Sequence, residues 1–274
     1  MSAGTLYNGG AASVEALLQS RALHYGDGVF RTLLIWKGQV HDAERQCAHL
    51  AADARRLDLI PPATATLRHE MDQLASGRER SVLKILLWRQ ARERGYAPRT
   101  QECERLLMTT DAPRYADTCW SEGIVAIRSP QRLATPAPLP GIKHLARLEQ
   151  VLASRDWPDG VQEALMADAD DRPICGTRSN LFWVCEDRLN TPPLDRCGVR
   201  GATRERVLAL SDALGIAVRE VHTDWPTLEA ADDVFVTNSL IGLWPLQALG
   251  ERRWPTPGPV TRQLMQALDH PRLC

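Results

Sequence analysis

Short apolar runs of strand type alternate with longer stretches of helical periodicity along the whole of this 274-residue chain. That alternation selects a mixed α/β architecture over an all-helical or all-β one. Residues 29–41, VFRTLLIWKGQVH, place two β-rich runs on either side of Lys37-Gly38, the pattern of a tight hairpin. Residues 43–57 put Ala43, Cys47, Leu50, Ala54 and Leu57 on one helical stripe, and 64–76 predicts a second helix. Strands are predicted at 81–89 and 105–110, with Lys84 alternating outward to solvent. Together these elements form a first α/β domain over 1–115. The polar stretch 112–120 reads as a linker, and 121–274 as a larger second domain. There a strand at 123–128 is followed by ATPAPLPG at 134–141, which can continue neither a helix nor a central strand. A helix is expected over 144–157 on Leu145, Leu148, Val151 and Leu152, then strands near 163–168 and 180–185. A helix beginning near Thr203, strands near 218–223 and 233–238 and a terminal helix near 259–269 complete the pattern.

Charge and cysteine usage limit the partners. Basic and acidic residues number 33 and 34, a net charge of -1, which argues against a nucleic-acid or anionic-membrane footprint. No apolar run approaches the ~18 residues a membrane span needs. The first residues show neither a basic start nor a compact apolar stretch, so no signal peptide is expected. The seven cysteines, at 47, 103, 119, 175, 185, 197 and 274, include no CxxC pair, and no histidine cluster has zinc-ligand spacing. The expectation is a cytoplasmic protein with reduced thiols and no metal, most of the cysteines being small buried hydrophobes.

Lysine is nearly absent. Lys37, Lys84 and Lys143 are the only three, and arginine carries the remaining positive charge. An arginine stays protonated and cannot condense with a carbonyl, whereas a lysine amine can. Lys37 is accounted for by its turn. Lys143 stands between a rigid Pro-Gly segment and a predicted helix, in LPGIKHLARLEQ. Held there, an amine can be partly desolvated and freed for carbonyl chemistry; the plain alternative is a solvated lysine at a helix start. Gly201-Ala202-Thr203-Arg204 opens a helix after a glycine-containing loop, which suits an anion such as phosphate, or is an ordinary capped start. Thr237-Asn238-Ser239-Leu240 ends a strand with a hydroxyl and backbone N–H groups, and is either a second phosphate corner or a turn.

Five blocks in order carry a resemblance: RALHYGDGVFRTL at 21–33, GIKHLARLEQVLA at 141–153, ICGTRSNLFW at 174–183, GVRGATRERVLAL at 198–210 and DVFVTNSLIGLWPL at 233–246. With them the chain resembles the fold-type IV pyridoxal-phosphate enzymes, the branched-chain-aminotransferase-like family. KHLARLEQVL around Lys143, and Thr32 two residues after Phe30, are closer to the aminodeoxychorismate lyases of that family than to its transaminases. Branched-chain transaminases typically carry glycine at the position of Thr32.

The resemblance implies a small N-terminal α/β domain, a larger C-terminal β-barrel-like α/β domain, a homodimer and pyridoxal 5'-phosphate as cofactor. It implies conversion of 4-amino-4-deoxychorismate into 4-aminobenzoate and pyruvate, for folate synthesis. By position, Lys143 would bond the cofactor and then act as general base and acid. Ala202 and Thr203 would bind its phosphate, with Ser239 and Leu240 completing the cup, and Asn180 would lie near its ring. Thr32 would position substrate or a proton near the leaving enolpyruvyl group. Tyr25, Arg94 and Tyr96 would line the substrate side, Arg94 binding a carboxylate, with Arg31, Arg89 and Arg92 as other candidates.

Three positions depart from the family pattern. Cys175 stands where a glutamate pairs with the cofactor's pyridine nitrogen, His49 where an arginine binds phosphate, and Ala146 where an asparagine is usual. Arg45, four residues before His49 on the same helical face, would reach the phosphate instead. A thiol keeps a ring nitrogen protonated less well than a carboxylate does. An elimination that creates an aromatic ring demands less of that electron sink than transamination does. Two other readings remain: a D-amino-acid or branched-chain transaminase of this fold, and a non-catalytic relative kept as a binding protein.

Overall fold

The computed structural model describes residues 4–11, 13–90, 93–135 and 139–272. Arg92, Cys274 and 136–138 of the proline-rich stretch lie outside them. The chain divides into two compact units, Met1–Pro113 with Ile142–Ala146, and Arg114–Gly141 with Arg147–Cys274.

The first unit runs β1 (Thr5–Tyr7), α1 (Val14–Leu18), α2 (Arg21–Tyr25), β2 (Gly28–Trp36), β3 (Gln39–Val40), α3 (Ala43–Arg56), α4 (Thr64–Ala75), β4 (Arg80–Arg89) and β5 (Cys103–Asp111). Its five strands pair antiparallel in the order β1-β5-β4-β2-β3. The β2–β3 turn has φ 50° at Lys37 and 77° at Gly38, the left-handed pair that a two-residue hairpin requires. Along β2, Val29, Arg31, Leu33 and Ile35 are buried. The apolar stripe of α3, Ala43, Cys47, Leu50 and Ala54, is buried too, and α3 packs on β2. Each fully buried Leu or Ile contributes about 1.5–3 kcal/mol. The alternate residues Phe30 and Thr32, with Lys84, Leu86 and Met108 of the neighbouring strands, form a half-buried opposite face.

Lys84 therefore does not project into solvent as the alternation of β4 predicts. It is only partly exposed, and its ammonium lies 5.0 Å from the centre of the Phe30 ring.

One edge of β2 meets β3 only at Ile35 and Trp36. Residues 143–145 cover its start, from Gly28 to Phe30. Phe30 N–H donates to the Lys143 carbonyl (2.9 Å), Leu145 N–H donates to the Gly28 carbonyl (2.9 Å), and His144 bridges Val29. This pairing corrects the helix expected over 144–157. His144 bridges β2 and Leu145 spends its N–H there, so neither is helical, and the helix starts only at Leu148.

The second unit runs α5 (Thr118–Ser121), β6 (Ile124–Arg132), α6 (Leu148–Ala153), β7 (Glu163–Ala167), β8 (Pro173–Gly176), β9 (Asn180–Cys185), β10 (Arg188–Thr191), α7 (Ala202–Ala213), β11 (Val218–Glu220), α8 (Trp225–Ala230), β12 (Asp233–Asn238), β13 (Gly242–Leu249), β14 (Arg252–Arg253) and α9 (Pro259–Leu268). The strand order β9-β12-β13-β6-β7-β8 closes on itself because β8 also pairs with β9, Cys175 opposite Asn180. Closure into a barrel leaves these strands no open edge. Against one side Val207 of α7 and Leu264 and Leu268 of α9 join Phe182, Val184, Phe235 and Leu243, with Phe182 and Phe235 stacked at 4.9 Å. The end of the expected linker is also a packed element. Trp120 of α5 is 3% exposed and donates its indole N–H to the Ile241 carbonyl.

Candidate active site

In the first unit the amine of Lys143 lies 4.7 Å from the Phe30 ring centre, and that of Lys84 lies 5.0 Å from it. Thr32 is two residues along β2 from Phe30, on the same face, and is the cross-strand partner of Lys84. The sheet thus gathers Lys143, Thr32 and Lys84, two of the chain's three lysines, around one aromatic ring.

Tyr25, Arg94 and Tyr96 form a second cluster in this unit. The Tyr25 hydroxyl accepts Gly95 N–H at 3.0 Å, Tyr96 meets the Tyr25 ring edge-on at 5.5 Å, and the Arg21 guanidinium lies 4.6 Å from that ring. Arg21 also donates to the Gly95 carbonyl and to Asp27, which in turn binds Arg89. Arg94 is carried exposed between these contacts. The competing arginines are used internally. Arg31 is 2% exposed and paired with Asp53, and Arg89 donates to the carbonyls of Leu57, Asp58 and Thr100. His49 and Arg45 are partly exposed one turn apart on α3, Arg45 lying 3.4 Å from Asp42.

In the second unit, α7 begins at Gly201 with no side-chain cap, so the N–H groups of Ala202 and Thr203 start a helix with neither an intrahelical nor a capping acceptor. Asn180 packs against that start. Its amide donates to the Val199 carbonyl at 2.7 Å, and a Cβ on Gly201 would stand 2.2 Å from its oxygen, so glycine lets the two pack in this arrangement. On its other side Asn180 pairs with Thr237, whose buried hydroxyl has no hydrogen-bond partner among the described residues. A buried oxygen without a partner is costly, and a ligand would relieve it.

The next turn differs from its sequence reading. Leu240 and Ile241 donate their N–H groups to Asn238 Oδ1 at 2.9 and 3.1 Å, so the Leu240 N–H is already held by an Asx-type turn. The Ser239 carbonyl faces His270 Nε2 at 3.1 Å. Asn180 likewise spends its amide on the loop before α7, which makes it a brace for that corner.

Cys175 is 6% exposed in a cluster with Leu133, Met166, Ile174, Leu194 and Cys197. Burial raises its thiol well above the ordinary range, and Cys197 and Glu163 add to the rise. It is a neutral side chain at neutral pH. Beside it Glu163, 2% exposed, accepts from Thr177 N–H and hydroxyl and from the Ser179 hydroxyl, which fixes the corner leading into Asn180.

A family model described as "Amino-transferase class IV" matches residues 28–249, most of the chain. The chain belongs to the class IV amino-transferase family. Over 266 residues this class IV chain is 29% identical to an aminodeoxychorismate lyase of Vibrio harveyi, covering 95% of itself and 98% of that protein. The crystal structure of 4-amino-4-deoxychorismate lyase from Pseudomonas aeruginosa superposes with a TM-score of 0.91 at 37% identity, over 96% and 97% of the two chains. A branched-chain aminotransferase from Thermoproteus uzoniensis, solved with norvaline, gives 0.84 at 22% identity, over 96% and 92%, a likeness of fold. The class IV frame agrees with the mixed α/β fold and closed barrel described above.

Two residues, one in each unit, carry more than the sequence reading gives them. Lys84 is legible in principle, since pairing β2 with β4 in register sets it opposite Thr32. Thr237 reads as part of a phosphate corner or a turn, and nothing in its neighbours announces that its hydroxyl is buried without a partner among the described residues.

Proposed function

We propose that the chain is a pyridoxal-phosphate-dependent carbon–oxygen lyase that converts 4-amino-4-deoxychorismate into 4-aminobenzoate and pyruvate. The observation that carries this reading is the Lys143 amine over Phe30, on the face that holds Thr32. Likeness to the Vibrio and Pseudomonas lyases over nearly the full chain supports it.

The residues present fit the cofactor at two of three points. Lys143 supplies the amine. Within the second unit, the start of α7 at Ala202 and Thr203, which has no side-chain cap, suits a phosphate, together with the Thr237 hydroxyl, unpartnered among the described residues, and the Ser239-Leu240 turn. Arg45 and His49 are further candidates for it, and Asn180 braces the corner. Cys175 offers no charge for a pyridine nitrogen. When bound, the cofactor supplies an electron sink for the carbon bearing the amino group.

Lys143 then takes the proton from that carbon as general base. The bond from the ring to the enolpyruvyl oxygen breaks, the ring becomes aromatic, and the departing enolpyruvate gains a proton to become pyruvate. The Thr32 hydroxyl orients that proton. Arg94, flanked by Tyr25 and Tyr96, binds a carboxylate, and the Lys84 ammonium offers charge for another. Because aromatisation drives the step, a neutral Cys175 is tolerable here and less so in a transaminase.

A homodimer belongs to the same reading. Its support is the exposed apolar side of α6, where Leu148 and Val151 are 67% and 54% exposed, and light scattering of the purified protein tests it. The six cysteines among the described residues are free, which supports a cytoplasmic, reducing setting. Among the described residues no helix is long and apolar enough to cross a membrane.

The deciding experiment mixes purified protein, pyridoxal phosphate and aminodeoxychorismate generated in situ, and follows 4-aminobenzoate fluorescence. Product formation that disappears in Lys143→Ala is expected. Amino-group transfer from an amino acid to 2-oxoglutarate without 4-aminobenzoate would replace the lyase with a transaminase. A protein that stays colourless with the aldehyde would be a binding relative.

A further inference from the structure

The peptide of Lys143 is held at both ends. Its carbonyl accepts the Phe30 N–H at 2.9 Å, and its own N–H donates to Asp53 Oδ2 at 3.1 Å. The same carboxylate oxygen accepts Arg31 Nη2 at 2.5 Å. Arg31 and Asp53 are 2% and 6% exposed. Around them the layer between β2 and α3 is largely apolar, with Val29, Leu33 and Ile35 from the strand and Cys47, Leu50 and Ala54 from the helix beside a buried Gln46.

A buried ion pair is a poor way to stabilise such a layer. Desolvating two charges offsets most of their attraction, and apolar residues of similar volume do as well or better. Here the pair sits where its carboxylate accepts the backbone N–H of the reactive lysine itself. We propose that Arg31 and Asp53 are positioning residues for Lys143, a deepening that rests on the reading of Lys143 as the cofactor lysine. Arg31 orients the carboxylate and keeps it charged. Asp53 fixes the Lys143 main chain against β2, and the long side chain then has one origin from which to reach the Phe30 ring. Holding a reacting group in place converts lost side-chain freedom into rate.

The test compares the wild type, Asp53→Ala, Asp53→Asn and the double variant Arg31→Leu with Asp53→Leu. The double variant removes both charges together, so it folds even if the unpaired arginine of Asp53→Ala does not. Two quantities are read well below each protein's melting temperature. One is hydrogen exchange at the Lys143 amide, without cofactor. The other is the rate at which pyridoxal phosphate forms a borohydride-stable mass adduct on Lys143.

In the double variant the Lys143 amide should exchange about tenfold to a hundredfold faster, the worth of one hydrogen bond to a charged group, with the β4–β5 amides unchanged. Adduct formation should slow by a similar factor, and Asp53→Asn, which keeps an acceptor oxygen, should recover part of both. A folded double variant whose Lys143 amide and adduct rate stay within about twofold of wild type overturns the proposal, since less than one such bond is then at stake. If the wild type itself forms no adduct, the cofactor-lysine reading fails, and the exchange data alone decide whether the pair anchors the peptide.

Discussion

The Phe30 ring has two ammonium groups within 5.0 Å, those of Lys84 and Lys143, and the cross-strand partner of Lys84 is Thr32. A cation over a partly exposed ring gains about 0.5–1 kcal/mol, too little to explain both lysines in a chain that otherwise uses arginine. The division of labour argued above is that Lys143 moves a proton while Lys84 holds charge on the substrate. Lys84→Met should therefore raise KM about tenfold to a hundredfold and leave kcat nearly unchanged, the signature of lost ground-state binding. Steady-state kinetics with 4-aminobenzoate fluorescence check this, and a fall in kcat with constant KM would move Lys84 into the chemical step. The Gly201 position is as specific. Gly201→Ala puts a Cβ 2.2 Å from the Asn180 oxygen, so either the start of α7 or the Asn180 brace must shift. Its expected result is weaker pyridoxal-phosphate affinity with the Lys143 adduct still forming at saturating cofactor, read by titration of the absorbance band.

Single elements show what the sequence can and cannot reveal. Alternation and helical stripes locate β2, β4, α3, α4 and α9 by the period of their apolar residues, and β12 by a short apolar run buried on both faces. The same alternation mistakes Lys84 for a solvated residue, since period two says which residues share a face and not what covers that face. Helical spacing overestimates the helix over 144–157 because pairing with a distant strand overrides it at His144 and Leu145. β13 escapes the pattern because Pro245 interrupts a strand that tertiary pairing with Phe235 nevertheless accepts.

The β7–β8 turn carries a prediction at this scale. Asp168 is fully buried, and its carboxylate accepts Asp170 N–H and Arg172 N–H on one oxygen and the Arg172 guanidinium on the other. Burial alone would raise this carboxyl, but the Arg172 contacts outweigh it and hold it below its ordinary value. A folded value below the unfolded one means stability that is full above the ordinary carboxylate range and lost as pH falls through the folded value. Asp168→Asn should cost about 2 kcal/mol at neutral pH and flatten the acid limb of the stability curve, both measurable by urea unfolding against pH.

At the scale of the molecule, the first unit is not continuous in sequence, because Ile142–Ala146 belongs to it although Arg114–Gly141 does not. A fragment of residues 1–113 lacks the segment that covers Gly28 and Phe30 on the edge of β2. An uncovered edge with unpaired N–H and C=O groups recruits other chains. That fragment should self-associate at concentrations where the full chain does not, as sedimentation or light scattering would report.

The stitching of Lys143 to β2 also sets a timetable. During synthesis the N-terminal sheet emerges first, yet its last pairing partner lies past the midpoint of the 274 residues, at Leu145. Until that stretch clears the ribosome, the anchoring amine has no seat, and an aldehyde in the cell finds only an unplaced lysine. On the proposed reading of Lys143, the covalent competence of the chain is thus withheld from the nascent protein and granted at a defined point in its elongation.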